Sequence, residues 1–389
     1  MSNILDKSKG IEDYIVSFRR EMHENPELSG QEVRTQARII EELEKLGVEY
    51  RKAGRTSIIA WIKGDNPGKT VMLRGDIDAL PVLEESGVEY ASTKQGLMHA
   101  CGHDTHTAML LGAVKLLSVM KDQINGEVRF FFQEAEETFE GAKLIIADGG
   151  MEGVDGCFGM HNYPDVEIGK IVINPGYISA GCDTIHIKFE GVSGHGSTPH
   201  LAKDTIHPAA MFVTDIQGIV TKNVSAQEPI VISVGKFSGG TKANIIAKYT
   251  ELDISLRYFN KDVRDLVLKA LQRHAKAIAE AYEIKVDIEI IPSTLSVYND
   301  DGLTVLARKS AHEVFGDDCL DDMPKLMGSE DMSFYFEHAK GVFAWIGSGN
   351  KAKDCVYPPH HEKFKVDEDF LKYGSALHVQ YALDFLNQK

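Results

Sequence analysis

The sequence of 389 residues predicts an α/β protein. Its main domain is read as a mainly parallel central sheet flanked by helices, interrupted by a ferredoxin-like α+β domain. Three observations predict this. Short apolar runs early in the chain are hydrophobic nearly throughout, as expected of strands buried on both faces of a parallel sheet. Near Cys182 the runs change to strict alternation, the mark of a sheet with one solvated or partner-covered face. The length exceeds one ordinary core, so two domains are expected, one inserted in the other.

The elements follow in order. Ile11–Met22 carries apolar residues at helical spacing. Ser29 with Glu32 reads as a capping box opening a second helix, whose face holds Val33, Ala37, Ile40, Leu43 and Leu46. Gly47 suits the position past its end. Ser57–Ile62, Val71–Leu73, Val128–Phe132 and Cys157–Met160 read as buried strands, with a helix at Thr107–Met120. The alternating strands are Thr184–Gly191, Pro229–Phe237, Tyr249–Tyr258 and Lys285–Ile291. Helices near Thr205–Val220 and Val263–Tyr282 complete a β-α-β-β-α-β order. The expected division is therefore 1–181 with 295–389 for the main domain and 182–294 for the insertion. A last helix is expected at Asp369–Asn387.

Composition excludes several classes. The chain has 42 Lys and Arg against 58 Asp and Glu, a formal net charge of −16. Such a chain repels phosphate backbones, so no nucleic-acid partner is expected. No apolar run approaches the roughly 20 residues that span a bilayer, so no membrane partner is expected. The first residues lack the apolar stretch of a signal peptide, which predicts a cytoplasmic location. Five cysteines at wide spacing do not suggest a disulfide scaffold.

Five polar clusters sit at or just after apolar runs, where α/β sheets build their sites. They are Arg74–Pro81, His99–Asp104, Gln133–Glu137, Met160–Asn162 and Pro358–Glu362. Together they offer a thiol, several imidazoles and several carboxylates, a donor set for Zn²⁺ or a similar divalent metal. The candidates exceed the needs of one tetrahedral ion, and a two-metal site with a bridging anionic ligand fits better. Of the adjacent Glu136 and Glu137, one can bind metal while the other stays free as a general base.

The strings LRGDIDALP, MHACGHDTHTAMLLGA, FQEAEE, FGMHN, GVSGHGSTPH and GSEDMSFYF resemble the dinuclear-metal amidohydrolase branch of the aminoacylase and carboxypeptidase clan. The resemblance covers almost the whole chain, and HACGHD is its most specific part. It implies that Cys101 is a bridging ligand and that His103, Glu137, His161 and His360 complete the metal set. Counting back from Phe364 and Val366 favours His360 over His361. Glu136 is implied as general base and later acid, and Asp78 as a carboxylate supporting a ligand. His195 is implied to polarise the scissile carbonyl at a neighbouring active site. Asn244 and Arg257 are implied to meet the substrate's carboxylate or main chain. The implied activity is hydrolysis of N-acyl amino acids with two divalent ions per subunit (Zn, Mn, Co or Ni), in a homodimer formed through the inserted dimerisation or lid domain.

A dipeptidase or carboxypeptidase of the same clan is the near alternative. A thiol hydrolase using Cys101 would leave Glu136, Glu137, His161 and His360 without duties. A non-catalytic metal or amino-acid binder would leave Glu136 without one. The other four cysteines read as small buried hydrophobes.

Overall fold

The computed structural model describes residues 3–388. The chain divides into two compact units. One takes the chain up to Ile178, Tyr298–Pro324 and the stretch from Asp331 onward; the other takes Ser179–Val297 and Lys325–Glu330.

The first unit is built on an eight-stranded sheet. Its order is Glu49–Ala53, Ser57–Lys63, Asn125–Gln133, Asn66–Asp76, Gly156–Glu167, Gly341–Gly349, Ile171–Val172, Leu320–Asp321. The four central strands pair in parallel. Antiparallel pairing is confined to the flanks. The continuous apolar runs are the buried centre: Val71, Leu73, Phe130, Phe132 and Phe158 are fully enclosed. Burial on both faces is what removes the alternation. The helix His103–Ser118 is buried nearly all round, packed against Glu12–Glu24 and Leu371–Leu386. It starts four residues before the expected Thr107, inside the polar cluster. A short helix, Asn3–Lys9, and the edge strand Glu49–Ala53 carried no sequence signal.

The capping box is not formed. The helix Val33–Lys45 begins after Glu32, without a side-chain cap. Ser29 Oγ donates instead to Asp78 Oδ2 at 2.7 Å, and Glu32 Oε1 accepts from Gly30 and Ala135 N–H. Tertiary partners outcompete the local motif.

Glu42 joins this helix to its neighbour. It accepts from Tyr14 Oη at 2.8 Å, Arg38 Nη1 at 2.6 Å and Lys45 Nζ at 2.8 Å. Burial would raise its pKa, but these donors prevail and hold the carboxyl down at about 2. A depressed carboxyl stabilises above its unfolded value near 4.3 and loses that contribution as pH falls toward 2. Glu42→Gln is expected to cost about 2 kcal/mol at pH 7 and progressively less below pH 4, read from urea unfolding at each pH.

The second unit is a four-stranded antiparallel sheet in the order Ile230–Gly239, Tyr249–Tyr258, Gly181–Glu190, Lys285–Thr294. Helices Ile206–Asn223 and Lys261–Ala281 supply Phe212, Ile216, Leu268 and Leu271 to the core. The sheet contributes Ile185, Ile187, Phe189, Leu252 and Ile254, every second residue, as the alternation requires. Arg264 ties its helix to the sheet through the buried Asp183, at 2.5 and 3.1 Å. No described helix is long and apolar enough to cross a membrane.

Candidate metal centre and active site

Parallel pairing sets two strand ends beside the middle of a third strand. Leu73 lies opposite both Phe130 and Phe158, which sets Asp76 and Gln133, at the ends of their strands, level with His161, which stays within the longer strand Gly156–Glu167. Gly102 turns the next segment inward with φ +88°, and His103 begins the buried helix. A Cβ on Gly102 would run into the Asn162 amide. Gly102→Ala is therefore expected to cost about 1–3 kcal/mol of stability and to lower bound divalent metal, checked by thermal unfolding and elemental analysis.

Cys101, His103 and His161 converge. Cys101 Sγ lies 3.3 Å from His161 Nε2. His161 Nδ1 donates to the Asn162 carbonyl at 2.6 Å, which leaves the Nε2 lone pair toward the thiol. Burial, with His106 and His103 nearby, holds His161 well below the usual imidazole range, so it is neutral and able to ligate. His103 Nδ1 is paired with Asp78 Oδ1 at 2.9 Å, the orientation common for a metal-binding imidazole. Its Nε2 is buried without a hydrogen-bond partner. Burial opposes charge on His103, yet Asp76 first, with Cys101 and Asp78, pushes its pKa well up. Surroundings that favour a proton there favour a cation equally. Burial and the Glu137 carboxylate push the Cys101 thiol up, a balance that a bound cation reverses.

Cys101 also forms a second group with Glu137 and His360. Within each group the candidate ligand atoms lie within 4.8 Å of one another. Glu137 Oε1, itself buried without a hydrogen bond, is 3.3 Å from His360 Nε2 and 3.9 Å from His103 Nε2. His360 N–H donates to the Ala100 carbonyl at 2.8 Å, fastening this loop beside Cys101. His361 instead lies against Tyr357, with ring centroids 4.8 Å apart and the planes tilted by 32°. Glu136 is buried and can join His103 and Glu137 around one point. Two orphaned buried atoms and a mixed thiol, imidazole and carboxylate set fit divalent metal.

A second layer of buried polar residues supports these groups. Asp76 Oδ1 accepts from His106 Nδ1 at 2.6 Å, and His106 Nε2 accepts the Asn162 N–H at 3.0 Å. Asn162 Nδ2 then donates to the Cys101 carbonyl at 2.9 Å. Arg74, fully buried, bridges Asp76 at 2.5 Å and Asp331 at 2.7 Å, while Gln133 Nε2 reaches Asp331 Oδ2 at 2.7 Å. Only the location of these residues in the quoted strings could have flagged them.

In the second unit, His195 and Asn244 lie side by side: Ile245 pairs with His195, and Gly196 N–H donates to the Asn244 carbonyl at 2.9 Å. His195 is exposed and its Nδ1 engages Ser197 Oγ at 2.7 Å. Arg257 Nη1 donates to the Met327 carbonyl at 2.7 Å and to Ser329 Oγ at 3.3 Å.

A thiol, imidazoles and carboxylates gathered beside the central sheet make a candidate centre for divalent metal. The family follows from comparison: the sequence profile of peptidase family M20/M25/M40 matches residues 72–384, and the chain belongs to that family. It is 39% identical to thermostable carboxypeptidase 2 of Saccharolobus solfataricus, over 98% of this chain and 97% of that protein. It is 33% identical to the hippurate hydrolase of Campylobacter jejuni, over 99% of this chain and 100% of that protein. The Bacillus subtilis YXEP protein, a dinuclear metal binding peptidase from the M20 family, has the same fold, with a TM-score of 0.87 and 32% identity. That match covers 98% of this chain and all of the other.

Proposed function

We propose that the protein hydrolyses the amide bond of N-acylated amino acids, using two divalent cations and Glu136 as the proton-transfer group. The observation that carries this is Cys101, which stands in both ligand groups, one with His103 and His161 and one with Glu137 and His360. An anionic side chain common to both groups would suit two ions held side by side. The bound ions would supply Lewis-acid polarisation and a water acidic enough to react near neutral pH. Glu136 would take the proton of that water and deliver it to the leaving amine. Asp78 holds His103 through Nδ1 and the Glu137 N–H through its other oxygen, at 3.1 Å, so one carboxylate orients two ligands.

We further propose that 1–181 with 295–389 forms the catalytic domain and 182–294 a dimerisation or lid domain of a cytoplasmic homodimer. His195 would act on the scissile carbonyl of the neighbouring subunit, with Asn244 and Arg257 meeting the substrate's carboxylate. A carboxypeptidase is the second reading, favoured by the 39% identity to a protein of that name. A screen of N-acetyl and N-benzoyl amino acids beside dipeptides, with Zn²⁺, Mn²⁺, Co²⁺ or Ni²⁺ restored, separates the two. Faster turnover of dipeptides than of every N-acyl amino acid would overturn the first reading. Mixed His195→Ala and Glu136→Gln subunits are expected to regain activity if subunits exchange; persistent inactivity of verified hybrids contradicts transfer between subunits.

A further inference from the structure

Glu136 sits in a turn that is held on both sides by buried carboxylates. Ala135 has a left-handed φ of +51°, which a side chain adopts only where its surroundings impose it. Its N–H donates to Glu32 Oε1 at 2.9 Å, and the N–H of Glu137 donates to Asp78 Oδ2 at 3.1 Å. The turn then closes on itself through Phe139 N–H to the Glu136 carbonyl, at 2.8 Å.

The proton count at Glu32 is informative. Thr56 Oγ1 lies 2.5 Å from Glu32 Oε2 and 2.8 Å from Glu134 Oε2. A hydroxyl has one proton to give, so it cannot donate to two carboxylates. At those distances one of the two acids must donate into the Thr56 oxygen. Glu134 faces the Arg55 guanidinium at 3.4 Å and accepts the N–H groups of Arg55 at 2.6 Å and Thr56 at 3.1 Å. Among the described residues Glu32 makes no ion pair, and the nearby charge of Asp78 disfavours a second anion. The chain of donors therefore runs from Glu32 Oε2–H to Thr56 Oγ1–H to Glu134.

We infer that Glu32 is a neutral carboxylic acid whose hydrogen bonds to Ala135 and Thr56 position Glu136 for proton transfer. Burial moves its pKa in the same direction. Glu32 is a positioning residue that acts through the backbone of Ala135. This role rests on the proposed duty of Glu136, but the protonation state of Glu32 does not.

The test has two arms on the full chain loaded with Zn²⁺. The first is infrared difference spectroscopy of wild type against Glu32→Gln at pH 7. The expected result is a protonated-carboxyl C=O band present in wild type and lost in the variant; a carboxylate band lost in its place overturns the inference. The second is turnover. Glu32→Ala is expected to lower kcat on the order of 10- to 100-fold, with KM and metal content near wild type. Glu32→Gln keeps a donor toward Thr56 and an acceptor for Ala135, and is expected to rescue most of that loss. Equal loss in both variants, or none in Glu32→Ala, overturns the positioning role. If wild type itself hydrolyses no N-acyl amino acid, the functional reading fails while the infrared arm still decides the state of Glu32.

Discussion

Glu136→Gln should reduce kcat on N-acyl amino acids by about 10³-fold while metal content stays at the wild-type level. The amide keeps the size and much of the hydrogen bonding of Glu136 but cannot accept a proton. Positioned general acid–base groups supply about 10²–10⁴-fold, so the expected loss is about 4 kcal/mol of transition-state stabilisation. Glu136 and Glu137 both come within ligand distance of His103, so the paired readout matters. If Glu136→Gln releases metal and Glu137→Gln does not, the two duties are exchanged. Undiminished turnover in a Glu136→Gln enzyme would remove it from the chemistry.

Arg74→Met should give the largest stability loss, about 3–5 kcal/mol at pH 8 in chemical unfolding. The guanidinium is fully buried and paired with two carboxylates, Asp76 and Asp331. Its removal leaves buried acids without their cation, which costs more than an intact pair contributes. Asp331 sets the pH dependence. Burial pushes it up to about 6 against the opposing pull of Arg74. A raised carboxyl favours the folded state below its unfolded value near 3.9 and loses that contribution as pH rises through 6. Without Arg74 the folded value rises further, so the gap between variant and wild type should be smaller at pH 5 than at pH 8. A gap independent of pH would mean that Asp331 does not respond to Arg74.

The strands of the first unit were legible because burial on both faces leaves runs such as Val128–Phe132 with almost no polar interruption. The alternation of Thr184–Gly191 was legible for the opposite reason. Polar clusters placed after such runs marked the segments that hold Asp78, Glu137 and His161, while the individual residues, Cys101 among them, were singled out by the resemblance. What escaped the sequence is long-range. Ser29 and Glu32 satisfy a local helix-start pattern, yet their side chains are claimed by Asp78, Thr56 and Ala135, distant in sequence. Nothing local to Arg74 announces Asp331, which lies beyond the whole second unit. The return of Lys325–Glu330 to that unit, where Met327 accepts from Arg257, is likewise a tertiary choice with no periodicity to read.

Divalent metal held around Cys101 is proposed to be required for amide hydrolysis. This requirement is tested most directly by following the hydrolysis rate of an N-acyl amino acid before chelation, after chelation and after restoring cation. The rate should collapse as bound metal is removed and recover when Zn²⁺, Mn²⁺, Co²⁺ or Ni²⁺ is returned. A chelated enzyme shown by elemental analysis to be free of metal, yet hydrolysing at its original rate, would contradict the account.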